Sequence, residues 1–275
     1  MTNSGDCLSA PLRMMASHET PGCPKANPEV SGMEGISLNR QSYSRTRIKI
    51  CGLTRESDLD AAVEAGADAI GFVRYTKSQR YVTIDRAAEL ARRLPPFVTP
   101  VLLYVNEPAG LVLADCARLA HALVQFHGDE SPRQCLEATG DGARGFVRAA
   151  RIPLGPSSQD FDLVKYAQTY HRALAILLDA HVEGFGGGGQ TFNWSLLPPS
   201  VNCHLVLSGG LTPANVTDGI LQVRPRCKTL AVDVSTGVEL SKGIKDAGKI
   251  HQFVAAVRAA DEQLAKNFHA PLPAT

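Results

Sequence analysis

Arg47-Ile48-Lys49-Ile50-Cys51-Gly52-Leu53-Thr54-Arg55-Glu56-Ser57-Asp58-Leu59-Asp60-Ala61-Ala62-Val63-Glu64-Ala65-Gly66-Ala67-Asp68-Ala69-Ile70-Gly71-Phe72-Val73 reads as strand, helix, strand. The first five residues form a short run with β-branched alternation, and Leu59, Ala62 and Val63 then recur at helical spacing. Thr54 is placed to cap that helix and Gly66 to close it. Outward from this unit the alternation repeats, with strands expected at Ala69 to Val73, Thr99 to Val105, Ala122 to Phe126, Gly145 to Ala149, Ala173 to Asp179, His204 to Ser208 and Leu230 to Val234. Helix entries are marked by Thr83, Asn106 before Pro108, Ser131 before Pro132, Thr212 before Pro213, and Asp246, while Ile250, Phe253, Val254 and Val257 stripe the last helix. Strand ends spaced about 20 to 30 residues apart suit short-looped βα units, hence parallel strands. Eight such units predict an α/β protein, a single (β/α)8 barrel. A doubly wound sheet is the competing architecture, but no GxGxxG follows the first strand and no GxxxxGK[ST] occurs.

The chain has 275 residues, 28 Lys or Arg against 27 Asp or Glu, and 44% hydrophobic residues, a composition that supports a sizeable core. A net charge of +1 provides no general field for nucleic acid or anionic lipid, so neither is expected as a partner. Apolar stretches such as Ala173 to Leu178 are far shorter than a membrane-spanning helix needs. Seven cysteines at 7, 23, 51, 116, 135, 203 and 227, without CxxC or CxxH spacing, point to a reducing cytoplasm rather than to disulfides or zinc. Residues 1–46 hold Pro11, Pro21, Pro24 and Pro28, all four methionines, and five Val, Leu or Ile residues, too little apolar area to offset ordering entropy. The expected organisation is a disordered extension over 1–46, the barrel over 47–262 and a tail over 263–275, with Met33 a candidate initiator. No exposed heptad or charge stripe marks an interface, so a monomer is expected.

In such a barrel the chemistry collects at the carboxyl ends of the strands. Those ends carry Cys51-Gly52, Arg74 to Arg80, Asn106, Gln125 to Gly128, Arg148, Asp179, Ser208-Gly209-Gly210, and Asp233 to Gly237. Side chains alternate along a strand, so Arg47, Lys49 and Cys51 share one face, with Ile48 and Ile50 on the other. Cys51, Asp179 and Asp233 then converge on the mouth. Taken singly, a strand cysteine is more often packing than chemistry, and a strand-end aspartate more often caps a turn. Cys116, Cys135, Cys203 and Cys227 are read as packing. Gly209-Gly210 and Ser235-Thr236-Gly237, after the seventh and eighth strands, expose backbone amides where phosphate binding recurs in barrels. The glycine-rich stretch from Glu183 to Trp194 is read as a closing lid anchored by Phe192 and Trp194.

Lys49-Ile50-Cys51-Gly52-Leu53-Thr54, Gly71-Phe72-Val73, Lys77-Ser78-Gln79-Arg80-Tyr81-Val82, Gln125-Phe126-His127-Gly128, Leu178-Asp179, Ser208-Gly209-Gly210-Leu211 and Val232-Asp233-Val234-Ser235-Thr236-Gly237-Val238-Glu239 resemble phosphoribosylanthranilate isomerase, over about Arg47 to Arg258. The resemblance implies a (β/α)8 enzyme of tryptophan biosynthesis without cofactor or metal. Its substrate is small, the anthranilate ribotide. The implied reaction is the Amadori rearrangement of N-(5-phosphoribosyl)anthranilate to 1-(2-carboxyphenylamino)-1-deoxyribulose 5-phosphate, an aldose–ketose isomerisation. By the same resemblance Asp179 is the general acid and Cys51 the general base. Arg80 holds the anthranilate carboxylate, Gln125, His127 and Asp233 orient the substrate, and Gly209, Gly210, Ser235, Thr236 and Gly237 cradle its phosphate.

There are departures. Arg74 stands where the family usually has an aromatic or apolar residue, Thr76 and Gln79 replace usual prolines, and Gln190 and Asn193 replace a usual lysine and aspartate. Two rivals remain open: a two-carboxylate ribosyl-phosphate isomerase of histidine biosynthesis, whose base would be an aspartate where Cys51 stands, and an idle barrel that senses sugar phosphates.

Overall fold

The computed structural model describes residues 45–154, 160–180 and 191–269. Eight parallel strands close into a barrel in sequence order. They are β1 (Arg47–Cys51), β2 (Ala69–Val73), β3 (Thr99–Tyr104), β4 (Leu123–Phe126), β5 (Phe146–Ile152), β6 (Ala175–Ala180), β7 (Val201–Leu207) and β8 (Cys227–Val234), with β8 pairing back onto β1. The helices are α1 (Glu56–Glu64), α2 (Ile84–Ala91), α3 (Ala109–Arg118), α4 (Pro132–Glu137), α5 (Leu163–Thr169), α6 (Val216–Val223) and α7 (Ala247–His269). An antiparallel hairpin, β9 (Glu239–Ser241) with β10 (Ile244–Lys245), lies between β8 and α7 and has no counterpart in the sequence reading. Among the described residues the β6–β7 connection carries only a 3-10 turn, Trp194–Leu196, so seven α-helices are present rather than eight.

Period-two alternation sorts the strands into two layers. Ile48, Ile50, Ile70, Phe72, Leu102, Tyr104, Val124, Phe126, Ile176, Leu178, Leu205 and Val232 point outward into the main core under the helices. Inside the ring, Cys51 packs with Val73, Leu103 and Val105, and Val147 and Ala149 pack with Leu177. The expected split of Cys51 from Ile48 and Ile50 is thus present. Outer-layer burial supplies most of the apolar area removed from water, and the inner layer fills the ring.

Helix starts follow the expected chemistry at three places. Thr83 and Ser131 accept the backbone N–H three residues on, Ser131 within a full capping box, and Asp246 accepts from the Lys249 N–H. Three other expected caps are corrected. Arg55 occupies the cap position of α1, and Thr54 instead donates its hydroxyl to the Gly243 carbonyl on the hairpin. Asn106 adopts φ 54° and bridges to the Asp129 N–H, with Pro108 at the start of α3. Thr212 lies in a turn whose N–H is accepted by the Asn215 side chain, and α6 begins only at Val216.

The barrel's edges also differ from expectation. Thr46 is fully buried, its N–H and hydroxyl both given to Asp261 on α7, so ordered packing begins before residue 47. The last helix runs past 262 to His269, with Leu264 packed on the core. The rest of the expected extension, residues 183–190 of the expected lid, and 270–275 lie outside the described residues; Phe192 and Trp194 at the lid's far end are buried in the core as expected.

Candidate active site

Three polar clusters meet where the parallel strands end. The first is built on the β1–β8 seam, where register places Lys49 beside Asp233. Lys49 Nζ lies 2.8 Å from Asp233 Oδ1, and Ser208 Oγ lies 3.4 Å from Asp233 Oδ2, all buried. Cys51 lies two residues along the same face, and its Sγ and the Lys49 Cε both border Gly71. Burial pushes the thiol above its ordinary value; Lys49 opposes this and the Asp233 carboxylate reinforces it. Burial works against the Lys49 charge as well, but Asp233 and Cys51 outweigh it and the ammonium is held above the usual lysine range. Gly71, paired with Cys51 in register, leaves room for the sulfur, because a Cβ there would sit 2.7 Å from Sγ.

The second cluster joins β4 to β6. Gln125 Nε2 lies 3.1 Å from His127 Nδ1, and His127 Nε2 lies 2.8 Å from Asp179 Oδ2. An amide N–H donating to Nδ1 leaves the hydrogen of a neutral imidazole on Nε2, so the ring donates to the Asp179 carboxylate. The end of β4 is fixed from outside the wall. Arg148, expected at the mouth, faces the helices instead, donates to the carbonyls of Phe126 and Gly128, pairs with Glu130, and lies 4.9 Å from the Tyr170 ring centre.

The third cluster lies on the β2–α2 loop and the hairpin. Arg80 grips Glu239 with Nε and Nη2, each at 2.7 Å, and Nη2 approaches Thr236 Oγ1 at 3.5 Å. Lys245 donates to Glu239 Oε1 at 2.8 Å and to the carbonyl and hydroxyl of Ser235 at 3.0 and 3.2 Å. Burial works against the Glu239 charge, yet the Arg80 and Lys245 cations hold its carboxyl below the usual range, while burial leaves Lys245 below the usual lysine range in spite of Glu239. The β2–α2 loop is itself anchored by Arg74, which turns outward, pairs with Asp115 on α3 at 2.7 Å, and donates to the Val82 carbonyl. Tyr104 and Tyr81 complete that anchor.

Between these clusters lie the two glycine turns. Gly209 and Gly210 have φ 75° and 65°, which leaves their amides turned out of the regular strand pattern. Gly237 is the middle residue of the 3-10 turn over Thr236–Val238, and a Cβ there would overlap the Leu211 carbonyl, so the two turns pack directly against each other. A Cβ at Gly209 would sit 2.8 Å from Asp179 Oδ1. All eleven site residues expected from the sequence therefore belong to these three clusters and two turns: Cys51, Asp179, Arg80, Gln125, His127, Asp233, Gly209, Gly210, Ser235, Thr236 and Gly237. Three others, Lys49, Glu239 and Lys245, had no assigned role. Lys49 was detectable as a lysine on an inward face beside Cys51; Lys245 was not, because only the hairpin returns it to the mouth.

Comparison with known proteins gives this geometry its context. Residues 48–256 match the family model described as N-(5'phosphoribosyl)anthranilate (PRA) isomerase. N-(5'-phosphoribosyl)anthranilate isomerase of Methylibium petroleiphilum is 58% identical over 221 residues, 80% of this chain and 98% of that protein. Its counterpart in Leptothrix cholodnii is 59% identical over 220 residues, 80% of this chain and 94% of that protein. Among solved structures, phosphoribosyl anthranilate isomerase from Thermotoga maritima superposes with TM-score 0.67 at 37% identity, covering 78% of this chain and 99% of that one. Another, crystallised with reduced 1-(o-carboxyphenylamino)-1-deoxyribulose 5-phosphate, gives TM-score 0.64 at 35% identity over the same shares. With a family model spanning most of the barrel and relatives this similar over nearly their whole length, the chain belongs to the phosphoribosylanthranilate isomerase family.

Proposed function

We propose that the chain catalyses the rearrangement for which its family is named, converting N-(5-phosphoribosyl)anthranilate to 1-(2-carboxyphenylamino)-1-deoxyribulose 5-phosphate in tryptophan biosynthesis. The observation that carries the reading is the meeting of a thiol, a histidine-bonded carboxylate, an arginine and two facing anion turns at one end of a barrel matched by that family over 48–256. In this reading Asp179 enters the reaction protonated on the oxygen that His127 does not hold and gives that proton to the ribose ring oxygen, the C1–O bond breaks, and the anilino nitrogen's lone pair forms an iminium at C1. Cys51 takes the proton from C2, and the electron pair moves toward the iminium to give an enolamine. Protonation at C1 with loss of the C2 hydroxyl proton yields the ketone. Each of the two positioned groups is asked to contribute roughly 10²- to 10⁴-fold. The iminium acidifies the C2 proton, which suits a thiol that burial makes a stronger but rarer base. Arg80 takes the substrate's carboxylate through its planar fork. The amides of Gly209, Gly210, Ser235, Thr236 and Gly237 take its phosphate, and Gln125, His127 and Asp233 orient the acid and the sugar.

Turnover of the anthranilate ribotide by the purified chain tests the reading. Turnover of the histidine-pathway ribotide instead would favour the two-carboxylate rival, and ribotide binding without turnover of either would favour the sensor. We infer further that the chain works as a monomer, and that it does so in the cytoplasm, a reducing compartment that suits the unpaired cysteines among the described residues. A solved Thermotoga maritima relative is described as dimeric, so light scattering at assay concentration is the relevant check.

A further inference from the structure

Arg80 is asked to hold a carboxylate, yet two of its donor positions already hold one, that of Glu239. The carboxylate is in turn held by Lys245, whose side chain is wholly buried and which also donates twice to Ser235 in the anion turn after β8. Two cations thus share one carboxylate. The nearby Asp58 does not redress the balance, because it accepts from the Lys245 backbone N–H while its own charge is matched by Arg55. The three groups carry one net positive charge largely removed from water, an arrangement that favours an anion beside it. Lys245 also gives Glu239 a counter-ion of its own, so the carboxylate stays ionised and seated at the hairpin. Glu239 uses Nε and Nη2, and among the described residues Arg80 Nη1 has no protein acceptor.

We propose that Glu239 and Lys245 are positioning residues: together they seat the Arg80 guanidinium beside the turn after β8 and leave Nη1 for the substrate, while Lys245 offsets the Glu239 charge so that Arg80 keeps its attraction for a carboxylate on the aromatic ring. This rests on the reading of Arg80 as the carboxylate-holding residue. It also explains why the hairpin is present, since β9 and β10 bring Glu239 and Lys245 into register with each other.

The test is a double-mutant cycle on the full chain, read by KM and kcat for the ribotide and, apart from turnover, by anthranilate binding through the ligand's own fluorescence. Arg80→Met is expected to weaken both KM and anthranilate binding by about tenfold or more, the scale of a charged hydrogen bond. Glu239→Gln and Lys245→Met are expected to weaken them by about tenfold too, with KM changing more than kcat. In the Arg80→Met background, Glu239→Gln should produce no further loss. Glu239→Gln is nearly isosteric, so the cycle stands even if Lys245→Met fails to fold. An Arg80→Met effect beside a silent Glu239→Gln, or fully additive effects, overturns the positioning role alone. Unchanged binding in Arg80→Met overturns the reading of Arg80 and this proposal together.

Discussion

At the scale of single residues the proposed reaction places the heaviest demand on the side chains of Cys51 and Asp179. Cys51→Ala and Asp179→Asn should each lower kcat by roughly 10²- to 10⁴-fold while KM moves little. Near-normal turnover in Cys51→Ala would remove the thiol from the reaction. Because burial raises the Cys51 thiol, the thiolate fraction increases with pH through and beyond the ordinary value of 9.0, and kcat/KM should still be climbing there. Lys49→Met removes the cation that opposes that rise, so the alkaline limb should move to higher pH, and an unmoved limb would separate Lys49 from the thiol. Gly71→Ala drives a methyl group to within 2.7 Å of the sulfur and within 3.0 Å of the Cys51 Cα, so it should cut kcat with little effect on anthranilate binding.

Turns and loops form the next scale. Gly237→Ala cannot be accommodated without separating the two glycine turns, since its Cβ would overlap the Leu211 carbonyl. Inhibition by inorganic phosphate should weaken sharply in that variant. Ser235→Ala removes one hydroxyl from a backbone-built cradle and should cost about 1 kcal/mol of substrate binding. Equal inhibition constants in Gly237→Ala and wild type would move the phosphate elsewhere. This is also the scale at which the sequence was hardest to read. Strand cores were legible because period-two patterning and Val/Ile runs are local, and Ala69–Val73 falls where it was expected. The caps at Thr54, Asn106 and Thr212 were misplaced because each of those polar groups has a longer-range use: the Gly243 carbonyl, the Asp129 N–H, and a turn closed by Asn215. Arg74 appeared only as a departure from the family pattern, yet with Asp115 it forms a buried anchor on α3 that no local pattern could announce.

Across the whole molecule, the first and last segments of the barrel close on each other through Thr46 and Asp261, and through Arg258 to the Thr46 carbonyl. Asp261→Ala would leave the buried Thr46 N–H and hydroxyl without their acceptor, at a cost of about 1 to 3 kcal/mol each before relaxation, so a lowered Tm is expected. Removing residues 1–43 should leave Tm and activity unchanged, because the contacts of Arg45 and Thr46 remain; a fall of several degrees would assign the extension a packing role. The buried thiols set an alkaline limit of a different kind. Burial pushes Cys135 to about 12 and Cys227 to about 11, above the ordinary 9.0 that each regains on unfolding. Above pH 9 the unfolded chain therefore releases protons that the folded chain keeps, and stability declines with rising pH. Thermal melts from pH 8 to 10.5 should show that slope, reduced in Cys227→Ala.

Gly209 rests so close to Asp179 that no side chain fits between them, so under the roles proposed above the grip on the phosphate and the delivery of the proton form one mechanical joint. A ribosylanthranilate lacking its phosphate should then react slowly even when saturating, and not merely bind weakly, since remote binding energy is what sets the acid. Free phosphite or phosphate supplied alongside such a truncated substrate should fill the empty half of the joint and restore part of kcat, an activation in two pieces that follows from one missing Cβ.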